Sequence, residues 1–177
     1  MDVAGKKMLQ YFYSMRRQFI SRLLAASMVF CLPVCLVGFS PRLSYSPVTP
    51  QNISLEEQIL QQVNLYRQSK SLPVLEMNAA ISSEALKHST AMAGGKTAFG
   101  HDGFDGRVGA IRRQLASSRK FAENVAYGHL DAKEVVDIWL NSPGHRRNIE
   151  GPYNTTGIGT AKRSDGTIFF TQIFIAR

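Results

Sequence analysis

The sequence predicts an α+β domain in which helices come first and a pair of strands comes last. Three segments between residues 55 and 140 place apolar residues at helical spacing behind capping residues. Two segments rich in Thr, Ile and Phe follow, residues 156–163 and 167–176, and Ser164-Asp165-Gly166 between them is typical of a hairpin turn. Because helices and strands are segregated along the chain, a parallel doubly wound sheet is not expected.

Capping residues mark the first two helices. Ser54 and Glu57 form a capping box, which predicts a helix over residues 55–69. Asn78 can accept from the free backbone N–H groups of a second helix, which its apolar face predicts over residues 79–93. These two helices open the predicted domain.

The middle of the chain predicts a loop, a short helix and a third long helix. Residues 96–109 are rich in glycine, which favours a loop that approaches another part of the molecule closely. Residues 107–115 can form a short helix. Asp131 starts a second capping box, which predicts a helix over residues 132–140 that ends at Ser142-Pro143-Gly144.

The N-terminal region is typical of a targeting segment. Residues 1–22 carry five Lys or Arg and one acid, and an uncharged apolar stretch, residues 23–39, follows. This stretch is longer than a usual signal core and shorter than a typical membrane span, so a cleaved signal and a retained anchor both stay open. We assign residues 1–44 to a signal peptide or membrane anchor, 45–54 to a linker and 55–177 to the domain, which is secreted or anchored outside the cytoplasm.

The net charge of +8 does not indicate a nucleic-acid partner. Residues 1–44 carry six Lys or Arg and one acid, whereas residues 45–177 carry fifteen and twelve. The excess therefore lies mostly in the predicted targeting segment. We expect a monomer that contacts a membrane only through that segment.

The cysteines restrict the chemistry of the domain. Cys31 and Cys35 both lie in the apolar stretch, so residues 45–177 contain no cysteine. The domain can therefore have no disulfide, no thiol nucleophile and no thiolate metal ligand. An apolar core must stabilise it.

Three short segments carry the candidate functional residues. His101 lies in Gly100-His101-Asp102, Glu123 in Ala122-Glu123-Asn124, and His145 in the segment Asn141 to Arg146. Neighbouring Gly, Pro and Asn residues are typical of loops that present side chains to a shared cleft. We therefore expect His101, Glu123 and His145 to lie near one another.

Short motifs, in order over residues 55–175, closely resemble the bacterial branch of the CAP superfamily, whose domain is also called the SCP domain. The superfamily includes cysteine-rich secretory proteins, venom antigens and plant pathogenesis-related proteins. The motifs are Asn64, Arg67, Leu75 and Asn78, then His88-Ser89, Met92-Ala93, Phe99-Gly100-His101, Glu123-Asn124-Val125-Ala126, the segment Trp139 to Arg146, Gly157-Ile158-Gly159 and Thr171-Gln172-Ile173-Phe174.

The resemblance implies an α-β-α sandwich, with a central antiparallel sheet of about three strands between helical layers. It also implies a cavity lined by histidines and acids. His101 and His145 would be the cavity imidazoles, with Glu123 the carboxylate between them. Many eukaryotic members have a second glutamate where this chain has Ser142, so the site is one acid short.

The residue types leave three interpretations open. His101, His145 and Glu123 can bind a divalent metal, with zinc favoured, and so few ligands would leave the site open to water or substrate. Alternatively, Glu123 can orient one histidine as a general base. The third interpretation is that the three side chains only form hydrogen bonds to the surrounding loops.

These interpretations give three functional hypotheses. The first is an exported CAP module whose cavity binds a divalent metal and an envelope or extracellular ligand. The second is a hydrolase, of peptidase type, that uses His101, Glu123 and His145 as catalytic residues. The third, lipid binding, follows from some eukaryotic relatives and has no support from particular residues.

Several other polar residues are expected to be structural. His88 lies on the apolar face of the second helix, which predicts a packed, hydrogen-bonded histidine. Asn124 is expected to fix the backbone near Glu123. Ser142 ends a helix and lacks the Gly-x-Ser-x-Gly setting of a serine nucleophile. His129 is expected to be solvent-exposed.

Overall fold

A computed structural model describes residues 53–177 of the chain. The predicted signal or anchor, residues 1–44, and residues 45–52 of the predicted linker lie outside the described residues. Among the helices of residues 53–177, none is both long and apolar enough to cross a membrane.

Five helices and four strands make up residues 53–177, and they confirm the predicted α+β class. In chain order they are α1 (Leu55–Ser69), β1 (Glu76–Met77), α2 (Ala79–Ala93), α3 (Phe104–Gln114), β2 (Lys120–Gly128), α4 (Ala132–Asn141), α5 (Pro143–Ile149), β3 (Thr155–Lys162) and β4 (Ile168–Ala176).

The predicted capping contacts are present. The Ser54 side chain accepts a hydrogen bond from the Glu57 backbone N–H, and the Glu57 carboxylate accepts one from Ser54 N–H. Asn78 caps α2, and Asp131 forms the second capping box at α4. These side chains satisfy backbone donors that have no partner within the helix, and α1 and α2 have the predicted bounds.

Two predictions from the sequence need correction, and one element was missed. The predicted loop over 96–109 was too long, because α3 already begins at Phe104, after Gly103 in the left-handed region with φ 75°. α4 ends before Pro143, as predicted, but Pro143 is also the first residue of a further helix, α5. Proline is tolerated there because the backbone N–H that it lacks would have no partner within the helix. Strand β2 was not predicted as a strand.

The sheet has the order β1-β3-β4-β2. β4 pairs antiparallel with both β3 and β2, as the resemblance implied. The two-residue β1 adds a parallel pairing to β3, so the sheet is mixed rather than purely antiparallel. Within the described sheet β2 is an edge strand, and its residue Glu123 lies opposite Ile173 of β4.

Helices cover both faces of the sheet, which confirms the α-β-α sandwich. On one face, α1 and α4 pack against β2, β3 and β4 through residues such as Ile59, Trp139 and Phe174. On the other face, α2 and α3 pack against β4 through Ile81, Ile111, Ile173 and Ile175. Neighbouring residues of β4 face opposite layers because strand side chains alternate.

Two glycines of β3 allow α2 to lie directly on the sheet. A Cβ at Gly157 would lie 2.3 Å from the backbone nitrogen of Ser82, and one at Gly159 would lie 2.1 Å from that of Leu86. Ser89 of α2 donates to the Gly159 carbonyl over 2.8 Å. This close approach fixes the position of α2.

Arg67 of α1 holds the chain that follows α5. Its buried guanidinium donates to the carbonyls of Pro73, Ile149, Gly151 and Tyr153. Burial lowers the pKa of Arg67. Because α5 carries His145, this contact links the core to the position of one candidate site residue.

Candidate functional site

His101 and Glu123 are in direct contact at the edge of the sheet. The Nδ1 atom of His101 lies 2.9 Å from Oε1 of Glu123. Glu123 is buried on β2, whereas the His101 side chain, in the loop after α2, is 51% exposed. A carboxylate accepts this bond from Nδ1–H, so a neutral His101 ring keeps its lone pair on Nε2.

Arg107 of α3 pairs with the same carboxylate. Its Nε donates to Oε2 of Glu123 over 2.8 Å, and its Nη2 donates to Oε1 over 2.7 Å. Both side chains are buried. This two-point contact balances the Glu123 charge and engages both carboxylate oxygens.

Arg107 also fixes the loop and a second histidine. Its Nη1 donates to the Asp102 carbonyl over 2.8 Å and to Nδ1 of His88 over 3.1 Å. Because Nδ1 of His88 accepts from the guanidinium, Nε2–H of His88 donates to the Gly100 carbonyl, at 2.8 Å. Burial lowers the pKa of His88, and the Arg107 charge acts in the same direction. His88 is therefore the packed, hydrogen-bonded histidine that the sequence predicts.

His145 approaches the site from α5. The ring centroids of His101 and His145 are 6.4 Å apart, and the rings are inclined by 53°. The Nδ1 atom of His145 is buried and has no hydrogen-bond partner within residues 53–177. Burial, followed by the neighbouring His101, lowers the pKa of His145.

Asparagines hold α5 against β2. Asn124 donates to the His145 carbonyl over 3.1 Å. Asn148 donates to the Asn124 side chain over 2.9 Å and to the Glu123 carbonyl over 3.1 Å. Adjacent residues of β2 thus serve the two histidines: Glu123 contacts His101, and Asn124 positions the backbone of His145.

The structure thus brings His101, Glu123 and His145 to one edge of the sheet, as the sequence predicts. Sequence reasoning missed Arg107, whose side chain forms more hydrogen bonds than the side chain of any of these three residues. The spacing of residues in α3 could have identified it. Arg107 lies four residues before the buried Ile111, and this spacing places both on the helix face that packs against the sheet.

The remaining candidates lie apart from this contact network. His129 is exposed, as predicted. Ser142 is the N-cap residue of α5, and its side chain forms no capping hydrogen bond. Arg146 donates to the Leu140 carbonyl, and among residues 53–177 it forms no salt bridge. In the described part of the chain, no group of three or more His, Cys, Asp or Glu side chains is arranged to hold a metal ion.

A cavity of about 570 Å³ lies elsewhere, at the start of α1 and along α2 and β3. None of the candidate histidines or acids lines this cavity. Its lining residues are Ser54, Glu56, Glu57, Met77, Ala79, Ser82, Ser83, Leu86, Ile158 and Gly159.

Curated proteins of Bacillus subtilis are similar to this chain. The uncharacterized protein YkwD is 32% identical over 131 residues, which cover 72% of this chain and 50% of YkwD. The uncharacterized membrane protein YlbC is 30% identical over 127 residues, 69% of this chain and 34% of YlbC. The chain thus spans half or less of the length of these relatives.

Solved structures share the fold. An extracellular protein of Bacillus anthracis that contains an SCP domain superposes with a TM-score of 0.58 at 29% identity, covering 75% of this chain and 45% of that one. An outer surface protein of Borrelia burgdorferi gives a TM-score of 0.58 at 22% identity, covering 71% and 96%. At its lower identity, the Borrelia structure supports the fold alone.

A family model connects the motifs, the fold and these relatives. The family model for CAP, the cysteine-rich secretory protein family, matches residues 60–174 of this chain. The match runs from the middle of α1 to β4 and includes His101, Glu123 and His145. The chain therefore belongs to the CAP family.

Proposed function

We propose that this protein is a CAP-domain binding module that works outside the cytoplasm. In this proposal it binds a divalent metal ion, with zinc favoured, between His101 and His145. The observation that carries the proposal is the hydrogen bond from His101 to Glu123. Metal-binding histidines usually donate their second ring N–H to a carboxylate, which orients the coordinating nitrogen. In this site the free nitrogen, Nε2, belongs to a half-exposed ring.

The distance between the two imidazoles suits a shared ion after a small movement. With Zn–N bonds of about 2.0 Å and a tetrahedral angle, two ligating imidazoles have centroids roughly 5 Å apart. The centroids of His101 and His145 are 6.4 Å apart, so the proposal requires the two rings to approach each other by roughly 1 Å when the ion binds. The Nδ1 atom of His145 is buried and has no hydrogen-bond partner within residues 53–177, so it is free to coordinate the ion.

Glu123 has a supporting role in this proposal rather than that of a third ligand. Arg107 and His101 already occupy its two oxygens. Two protein ligands leave positions on the ion for water or for an external ligand. The bound ion would supply a Lewis acid, and the chain's own residues would orient the imidazoles.

The metal proposal is tested by calorimetric titration of the full-length protein with Zn²⁺. We expect binding of one ion per chain that weakens as the pH falls, because protons compete for the imidazole nitrogens. Since burial lowers the pKa of His145, proton competition at this residue sets in at a lower pH than at an ordinary histidine. His129→Ala, which removes an exposed histidine, is the matched control and should bind as wild type. No binding at pH 7.5 would contradict the proposal.

The location outside the cytoplasm rests on the sequence and on the relatives. The basic and apolar order of residues 1–39 is typical of a secretory signal. The described relatives include an extracellular protein and a membrane protein.

Fusion of residues 1–50 to a reporter that is active only outside the cytoplasm tests the location. We expect an active fusion, because the basic segment and the apolar stretch direct export. Arg16 and Arg17 are adjacent, as in a twin-arginine export signal. Loss of activity in a fusion with Arg16→Lys and Arg17→Lys would indicate the twin-arginine route, and unchanged activity would indicate the general secretory route. A stable but inactive wild-type fusion would count against export.

The contact between His101 and Glu123 also supports a second candidate function, hydrolysis of peptide or envelope material. A carboxylate that accepts from Nδ1 orients a histidine as a general base at Nε2. This function predicts turnover that survives removal of metal by a chelator. Binding of zinc without turnover would leave the binding module as the function.

A further inference from the structure

Two aromatic side chains are exposed beside the histidine site. Phe99 is 48% exposed and Tyr127 is 55% exposed. Their ring centroids are 4.7 Å apart, with an angle of 63° between the rings. Phe99 and Tyr127 are called the aromatic platform here. Contiguous exposed apolar side chains mark interaction sites more often than singly scattered ones do.

A buried neighbour holds Tyr127 of the platform in place. The Tyr127 ring stacks on the buried Phe169 ring, with centroids 5.6 Å apart and an angle of 18°. The Arg163 guanidinium covers the Phe169 ring at 5.3 Å. Rings that are already fixed lose little conformational entropy when a ligand binds, so this arrangement is suited to recognition.

The platform is continuous with the histidine site. Phe99 precedes His101 by two residues, so their Cα atoms lie within about 7 Å. Tyr127 follows Glu123 by four residues on β2, which places it on the same face of the strand about 13 Å away. A ligand of that length could contact the platform and reach the two histidines.

We infer that the aromatic platform binds a glycan, whose sugar rings lie on Phe99 and Tyr127. The inference rests on the proposed binding function and names the class of its ligand. A pyranose ring has a flat C–H face, which suits an aromatic ring, and a rim of hydroxyl groups, which needs polar partners. The exposed ion pair of Arg163 and Asp165, joined at 2.6 Å, lies beside the platform and supplies such partners.

The charged border favours a sugar over an acyl chain. An acyl chain needs a surface from which water and charge are excluded. Here a guanidinium lies on the ring that supports Tyr127, the Asp165 carboxylate pairs with that guanidinium, and the site beyond Phe99 contains the half-exposed imidazole of His101. Hydroxyl groups can bond to these groups, whereas methylene groups cannot.

The test is a calorimetric titration of the full-length protein with a β-1,4-linked tetramer of N-acetylglucosamine. Tyr127→Ala and Phe99→Ala should each weaken binding at least ten-fold, whereas Tyr127→Trp should retain it. Tyr127→Leu keeps an apolar contact with Phe169 but lacks a ring, so it should bind as weakly as Tyr127→Ala. The control is Leu86→Ala, which removes a similarly exposed side chain on α2 beside β3 and should leave binding unchanged.

A parallel titration with Zn²⁺ separates this inference from the proposed metal function. Tyr127→Ala should bind zinc as wild type does, because the platform contributes no ligand. Absence of tetramer binding, or tetramer binding that Tyr127→Ala and Phe99→Ala leave unchanged, would overturn the inference while zinc binding remained. Binding of a proline-rich peptide or of phosphatidylglycerol vesicles instead of the tetramer, lost in both variants, would also overturn it.

Discussion

Arg107→Met should lower the free energy of unfolding by about 3–5 kcal/mol at pH 7, because the change leaves the buried Glu123 carboxylate without its guanidinium. It also removes the donors to His88 and to the loop that carries His101. Urea unfolding followed by circular dichroism measures the loss. The matched control is Arg163→Met, which breaks an exposed pair with Asp165 and should cost far less stability than Arg107→Met, because water screens that pair.

A second variant tests the cause of this effect, which is the negative charge that Glu123 keeps when its guanidinium partner is removed. The double variant Arg107→Met/Glu123→Gln, which removes the charge, should recover part of the lost stability. A destabilisation below 1 kcal/mol in Arg107→Met would contradict the assigned role of this contact.

His101→Ala and His145→Ala should each weaken zinc binding far more than ten-fold, because each removes one of only two protein ligands. The double variant should be little worse than either single variant, since residues that hold one ion act as a unit. Glu123→Gln should weaken binding less, by about 10- to 100-fold, as expected for a carboxylate that orients a ligand. Calorimetric titration of folded variants measures all four.

The outcomes distinguish the possible roles of Glu123. An effect of Glu123→Gln as large as that of His101→Ala would indicate that Glu123 ligates the metal directly. Zinc affinity unchanged in a folded His101→Ala/His145→Ala protein would contradict a shared metal site. The three residues would then serve only the hydrogen-bonded structure of the sheet edge.

The sequence by itself determined the helices that begin at a capping box or a capping asparagine. Capping is local chemistry: a side chain satisfies backbone donors two or three residues away, so Ser54, Asn78 and Asp131 locate α1, α2 and α4 without knowledge of the rest. The hairpin of β3 and β4 is local in the same way. The motifs around His101, Glu123 and His145 also identified the candidate residues.

Only the tertiary structure decided β2 and the contacts of the site. Residues 122–126 of β2 are all buried, because other parts of the protein cover both faces of the strand. The alternation of apolar and polar residues that marks a half-exposed strand is therefore absent. Likewise, Arg107 and Glu123 are sixteen residues apart, and no local pattern joins them. Their pairing depends on which chain segments the packed core brings together, and so does the contact of His101 with Glu123 that leaves Nε2 of His101 free.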